Sequence, residues 1–190
     1  MKKIIAGVDE VGRGSLVGPV YAAAVILNKK VDRKKIKDSK KISKKKRETM
    51  NDYLKKNSIW SIGSASLKEI DKLNILNASL LAMKRAVKKL KKKPEIVLID
   101  GNKLPKIDKY KLKNIIKGDE KIPEISAASI IAKVSRDRLV SRLSKKFKNY
   151  YWDKNSGYGT KGHIRAIRKF GVTKHHRKTF QPIYNILSLK

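Results

Sequence analysis

A chain of 190 residues with 49 lysines and arginines against 16 aspartates and glutamates carries a net charge of +33. It is long enough to bury a real core as a single domain over residues 1–190, and its field attracts polyanions, nucleic acid first among them. Having no cysteine, it has no disulfides, thiol nucleophiles or cysteine zinc sites.

The charge alone says little about specificity, because runs such as Lys44-Lys45-Lys46 and Lys91-Lys92-Lys93 also fit a biased composition that puts lysine wherever the surface tolerates it. After Met1-Lys2-Lys3 the apolar run stops at Asp9, too short for a signal-peptide core. Residues 16–27 fall short of the ~20 apolar residues that a spanning helix needs. A cytoplasmic, monomeric protein without a membrane segment is expected.

Residues 4–8 are apolar or glycine throughout and read as a strand buried on both faces. Asp9 and Glu10 follow, then a loop in which Gly12 and Gly14 flank Arg13, then a second apolar strand over 20–27 that pairs antiparallel with the first. Residues 28–43 are polar and aperiodic, and read as a loop. A short helix over 43–56 opens on a serine cap and carries Glu48 and Asp52 on a solvated face. Residues 59–67 alternate as a third strand. Leu76, Leu80, Met83, Val87 and Leu90 then recur every three or four positions, which predicts an amphipathic helix whose methionine fills core space.

Residues 96–99 form another buried strand, ending in Asp100-Gly101, and 112–116 a short one leading to Lys117-Gly118-Asp119. Pro123 suits the first turn of a long helix over 124–147, whose Ser126-Ala127-Ala128-Ser129 is small enough for close packing on the sheet. Residues 149–160 read as an aromatic, glycine-bearing loop and 161–170 as a helix stopped by Gly171. The basic tail after it carries Phe180, Ile183, Tyr184, Ile186 and Leu187 to dock it. This order predicts an α/β fold: a mixed five-stranded sheet flanked by helices, with a small C-terminal helical region over about 149–190.

Asp9 and Asp100 both end buried strands. If those strands are parallel neighbours, the two acids lie side by side where open α/β sheets build their sites. Acids at strand ends also serve as turn residues, so an ordinary hairpin with a charged turn is the plain alternative. Glu10 adds a demand: neighbours on a regular strand point to opposite faces, so Asp9 and Glu10 share a cation only if the strand bends. Clustered carboxylates repel one another unless a cation lies among them, magnesium suits such oxygen ligands, and two ions would activate water and stabilise the leaving oxygen of a phosphodiester.

The motifs Gly7-Val8-Asp9-Glu10-Val11-Gly12-Arg13-Gly14, Asp38-Ser39-Lys40-Lys41, Leu98-Ile99-Asp100-Gly101, Lys117-Gly118-Asp119, the run 126–134 and Gly157-Tyr158-Gly159-Thr160 together resemble ribonuclease HII, the type 2 ribonucleases H, across nearly the whole chain. The resemblance implies a ribonuclease H-like fold and cleavage of the RNA strand of RNA–DNA hybrids. It also implies incision 5′ of single ribonucleotides in duplex DNA, leaving 3′-hydroxyl and 5′-phosphate ends, in ribonucleotide and RNA-primer removal. The four metal-binding acids it implies are Asp9, Glu10, Asp100 and Asp119, with Mg²⁺ or Mn²⁺, two ions when substrate is bound. Gly12, Arg13 and Gly14 would read the ribose 2′-hydroxyl, the group that tells RNA from DNA, through their backbone. Tyr158 would pack on the neighbouring sugar, and Lys40, Asn77, Lys117 and Lys133 are the further substrate contacts.

Rivals to these residues have simpler readings. Asp137, about three turns into a helix and between two arginines, is expected to be an ion-paired surface acid. Asp38, Asp108, Glu120 and Asp153 are expected to cap, turn or pair with lysine, and His163, His175 and His176 to pack or touch phosphate. Trp60 and Trp152 have rings that could stack on bases, and Trp60 is counted as core. A non-catalytic basic nucleic-acid-binding protein is the competing function. The related type III enzyme normally carries an N-terminal substrate-binding domain, for which Asp9 comes too early.

Overall fold

The apolar run before Asp9 forms β1 (Ile5–Val11), the middle of one five-stranded sheet in this computed structural model, which describes residues 3–36 and 42–188. Lys40 and Asp38 therefore lie outside the described residues. The sheet contains β2 (Val20–Leu27), β3 (Ser58–Ala65), β4 (Ile96–Asp100) and β5 (Lys111–Ile115) in the order β3-β2-β1-β4-β5. β1 runs antiparallel to β2 and parallel to β4; Ala6 and Val8 are buried on one face of β1 and Gly7 and Asp9 on the other, as befits a central strand. The sheet is mixed, and Asp9 and Asp100 end neighbouring parallel strands.

Helices cover both faces. On one lies α2 (Leu67–Lys88), with Val8, Ala22, Ala24, Val97 and Ile99 packed against Ala78, Ala82, Met83 and Ala86. On the other lie α1 (Lys44–Lys56) and α4 (Pro123–Lys146), with Ala23 and Val25 against Ala127, Ala128 and Ile131. Gly7 lets α4 lie this close: a Cβ there would stand 2.1 Å from the backbone of Glu124. α3 (Gly118–Lys121) is one turn between β5 and α4, where the sequence suggests only a loop.

α2 begins nine residues before the periodic pattern does. Ser66 and Glu69 form a capping box that starts it. It then breaks at Asn74 (φ 64°), whose side chain accepts from the Asn77 N–H and opens a second segment. The leucine stripe is that second segment.

Beyond α4 come α5 (Trp152–Asn155), α6 (Lys161–Phe170) and α7 (Ile183–Ser188). They share a third core with Leu16 and Val17 of the β1–β2 loop and Val140 of α4. Ile183 and Ile186 dock α7 there, while Tyr184 and Leu187 face outward. Trp152 is 1% exposed inside this core, so its ring is not available to stack on bases. Trp60 packs against the α1–α4 core and donates to the Lys55 carbonyl.

Candidate active site

A cavity of about 450 Å³ opens at the carboxyl ends of β1 and β4. Asp9, Glu10, Asp100 and Asp119 line one side; Gly12, Arg13, Gly14 and Tyr158 line the other, with Ser129, Lys133 and Arg47 between. Of the remaining proposed contacts, Asn77 and Lys117 are exposed and stand outside the cavity lining.

β1 does not bend. Its ladder with β2 runs without a break through Asp9, Glu10 and Val11, so the two acids leave opposite faces of the strand: Asp9 on the face of Gly7 and α4, Glu10 on that of Val8 and α2. They nevertheless share the cavity, because pairing with β4 stops at Val8–Ile99 while β1 continues to Val11. Past that point the β4 side of β1 is open, and side chains from both faces reach around its edge. The bend required of a strand paired on both sides is not required of one that outruns its neighbour.

Each acid is held differently. Asp9 is 5% exposed and accepts from the Glu10 N–H (2.7 Å) and from the Ser129 hydroxyl. Burial, and after it the charges of Glu10 and Asp100, push its carboxyl well above the usual range. Burial also raises Glu10, while Arg13 at 3.2 Å pulls it back. Asp100 accepts from the Gly118 N–H at 2.7 Å and the Asp119 N–H at 3.4 Å, tying the end of β4 to α3. That tie places Asp119, itself buried, at the same cavity. Asp137 instead pairs with Lys133 at 2.8 Å, one helical turn away and outside this lining.

All four donors are carboxylate oxygens, two of them raised by burial and mutual repulsion, and this chemistry fits hard divalent cations. Among the described residues no three His, Cys, Asp or Glu side chains already converge on a metal position.

The opposite wall rests on two arginines that sequence reasoning passed over. Arg136 and Arg177 are fully buried, and no ion pair to either occurs among the described residues. Arg136 donates to the carbonyls of Val17 (2.9 Å) and Ser156 (3.1 Å), and Arg177 to those of Gly18 (2.9 Å) and Arg13 (2.8 Å). Burial, and then the charge of Arg136, push Arg177 down to about 9, which still leaves it charged at neutral pH. Between them they fix the Gly12–Gly18 loop to the Tyr158 loop. Gly12 has φ +90° and lies so close on Arg136 that a Cβ would stand 2.1 Å from its Nε. One signal in the sequence does mark Arg136: it falls four residues after Ala132 and four before Val140, on the apolar stripe of α4.

The histidines form a second brace. Trp152 Nε1–H donates to His163 Nε2 at 2.9 Å, and the Thr173 N–H donates to His176 Nδ1 at 2.9 Å. His163 must then carry its proton on Nδ1, giving it to the Tyr158 carbonyl (2.9 Å), and His176 on Nε2, giving it to His163 (3.2 Å). Protonating His163 would put a hydrogen on Nε2, against the Trp152 and His176 donors, so the chain is complete only while both imidazoles are neutral.

A mixed sheet between helices, with acids at the ends of its central parallel strands, defines a nuclease of ribonuclease H-like architecture. The family model for ribonuclease HII matches residues 6–183. Ribonuclease HII of Pelagibacter ubique (strain HTCC1062) is 69% identical over 97% of this chain and all of its own length. The ribonuclease H2 structure from Pyrococcus horikoshii OT3 superposes with TM-score 0.81 at 27% identity, covering 97% of each chain. That of ribonuclease HII in complex with PCNA from Archaeoglobus fulgidus gives 0.79 at 28%, covering 94% of this chain and 95% of its own. The chain belongs to the ribonuclease HII family and is a phosphodiester-hydrolysing ribonuclease.

Proposed function

We propose that this chain cleaves the RNA strand of RNA–DNA hybrids and incises duplex DNA 5′ of an embedded ribonucleotide, leaving 3′-hydroxyl and 5′-phosphate ends, in ribonucleotide and primer removal. The observation that carries this reading is one cavity with four carboxylates on one wall and the glycine loop with Tyr158 on the other. Asp9, Glu10, Asp100 and Asp119 would hold two Mg²⁺ or Mn²⁺ ions, which when bound supply Lewis-acid stabilisation and a nucleophilic water. The residues themselves bind and orient. Gly12 and Gly14 lack the Cβ atoms that would keep a ribose away from the loop amides, so the 2′-hydroxyl can be read through the backbone. Tyr158, 37% exposed beside Gly14, presents its ring to the adjoining sugar. Lys133, already turned toward the cavity, supplies charge for a phosphate.

A duplex with one ribonucleotide tests this. With Mg²⁺ or Mn²⁺ the protein should nick it 5′ of the ribonucleotide, and without metal it should bind and leave it whole. No nick with either ion, or full cutting by Asp9→Asn and Asp100→Asn, would refute the reading.

A further inference from the structure

The carboxylate cavity does not end at Arg47 and Lys133. Both side chains also line a second concavity of about 190 Å³, bounded by Lys44, Ser141 and Lys154. Lys44, Asp137 and Ser141 in turn line a third, of about 470 Å³, lying against α1 and the C-terminal half of α4 and reaching Arg142 and Lys145. Because the three share walls, they make one groove leading away from the active site.

The groove's chemistry is that of a phosphate track. On α4 its lining recurs at Lys133, Asp137, Ser141 and Lys145, one residue per turn on a single stripe. At 1.5 Å per residue this stripe is about 18 Å long, the axial length of about five nucleotides at 3.4 Å each. Of the three acids in its lining beyond the carboxylate cavity, Asp137 is engaged by Lys133 at 2.8 Å and Asp153 by the Ser144 hydroxyl at 3.0 Å, and Glu48 shares the lining with Lys44, Arg138, Arg142 and Lys145. Arg138, Arg142 and Lys145 are exposed along the same groove, and the pairing of Arg138 to Asp52 at 3.6 Å is itself open to solvent. Arginine forks suit phosphate oxygens and carry no base information on their own.

We infer that the α1–α4 groove holds the sugar–phosphate backbone of the bound duplex for about five nucleotides beyond the scissile bond, through Lys44, Arg138, Arg142 and Lys145. This rests on the nuclease reading above and adds to it a remote, sequence-independent grip. A general lysine field would give an effect that depends on net charge alone. A track gives one that depends on place and on substrate length.

The experiment compares R138A/R142A/K145A with a charge-matched control, K88A/K89A/K91A, whose exposed lysines stand outside the groove lining. Steady-state nicking is measured on single-ribonucleotide duplexes with about 15 base pairs on both sides of the ribonucleotide, or with about 15 on one side and about 1 on the other, either side being the short one. The groove variant should raise KM about tenfold on one long-flank arm with kcat unchanged. It should also lower the slope of log KM against log salt by about 2 to 3. On the duplex short on that side it should match the parent, and the control should change little on any substrate. Equal effects of the two variants, or equal effects on long and short flanks, would overturn the track. A parent that binds every duplex and nicks none would instead overturn the nuclease reading.

Discussion

The two walls of the cavity are built in opposite ways. The carboxylate wall is charged at its surface and hangs on the sheet: Asp9 and Glu10 on the overrun of β1, Asp100 at the end of β4, Asp119 tied to it through α3. The glycine–tyrosine wall carries Arg13 at its surface, and the rest of its charge is behind it, in Arg136 and Arg177, which donate to loop carbonyls. The first wall gathers acids that repel one another, with Asp9 and Glu10 raised by burial and by neighbouring charge. The second is a scaffold in which buried arginine donors fix a backbone, although Arg136 Nε and Arg177 Nη2 find no partner among the described residues. Under the proposed function, chemistry would belong to the first and selection of the ribose to the second.

The largest way to test that division is to empty the first wall. Asp9→Asn and Asp100→Asn should each lower kcat by ~10³-fold or more, the loss of several kcal/mol of charge stabilisation, while duplex binding measured by fluorescence anisotropy stays within a few-fold of the parent. Arg136→Ala attacks the second wall. It leaves the Val17 and Ser156 carbonyls with the Ser15 hydroxyl in place of the guanidinium and should cost about 3 kcal/mol of stability by denaturant titration, with discrimination between ribose and deoxyribose weakened. Gly12→Ala keeps the arginine but forces a Cβ into it at positive φ. Nicking should fall ~10²-fold, since misplacing a positioned group by an ångström has that effect, with a smaller change in thermal stability.

A milder test uses pH. Burial holds His163 below its usual value and, with the charge of His163, holds His176 down to about 4. The unfolded chain therefore binds more protons between about 6.5 and 4, so this part of the stability is complete above that window and lost as pH falls through it. Melting temperature should drop on acidification, and Trp152 emission should shift with it because its N–H partner, His163, becomes protonated. A His176→Gln variant should show a shallower drop. Smallest of all, Asp137→Asn should leave kcat within about threefold, since it removes a partly exposed helix pair.

Much of the first wall was legible in the residues. Apolar runs of β1 and β4 separated by a helical stripe allow parallel neighbours, which would set Asp9 beside Asp100, but only the β1–β4 pairing establishes it. What the pattern could not carry was where one strand outruns another, which decides whether Glu10 faces the cavity. Asp119 came into view only through the resemblance to a family, because the contact of β4 with α3 is tertiary. The second wall was legible only in its glycines and Tyr158. Arg136 and Arg177 look like surface cations until their carbonyl partners, more than a hundred residues away in Val17, Gly18 and Arg13, are in place. His163, His176 and Trp152 stayed opaque for the same reason: a neutral hydrogen-bonded chain between α5, α6 and the loop after it leaves no spacing rule.

The division of labour meets its most direct test in binding, with cleavage silenced. Asp100→Asn, and the same protein also carrying Gly12→Ala, are titrated with a duplex containing one ribonucleotide and with its all-DNA counterpart, in the presence of Mg²⁺. The first protein should bind the ribonucleotide duplex several-fold more tightly, and the second should bind both alike. If Asp100→Asn alone erased the preference, or Gly12→Ala left it whole, the acids and not the glycine loop would be reading the ribose.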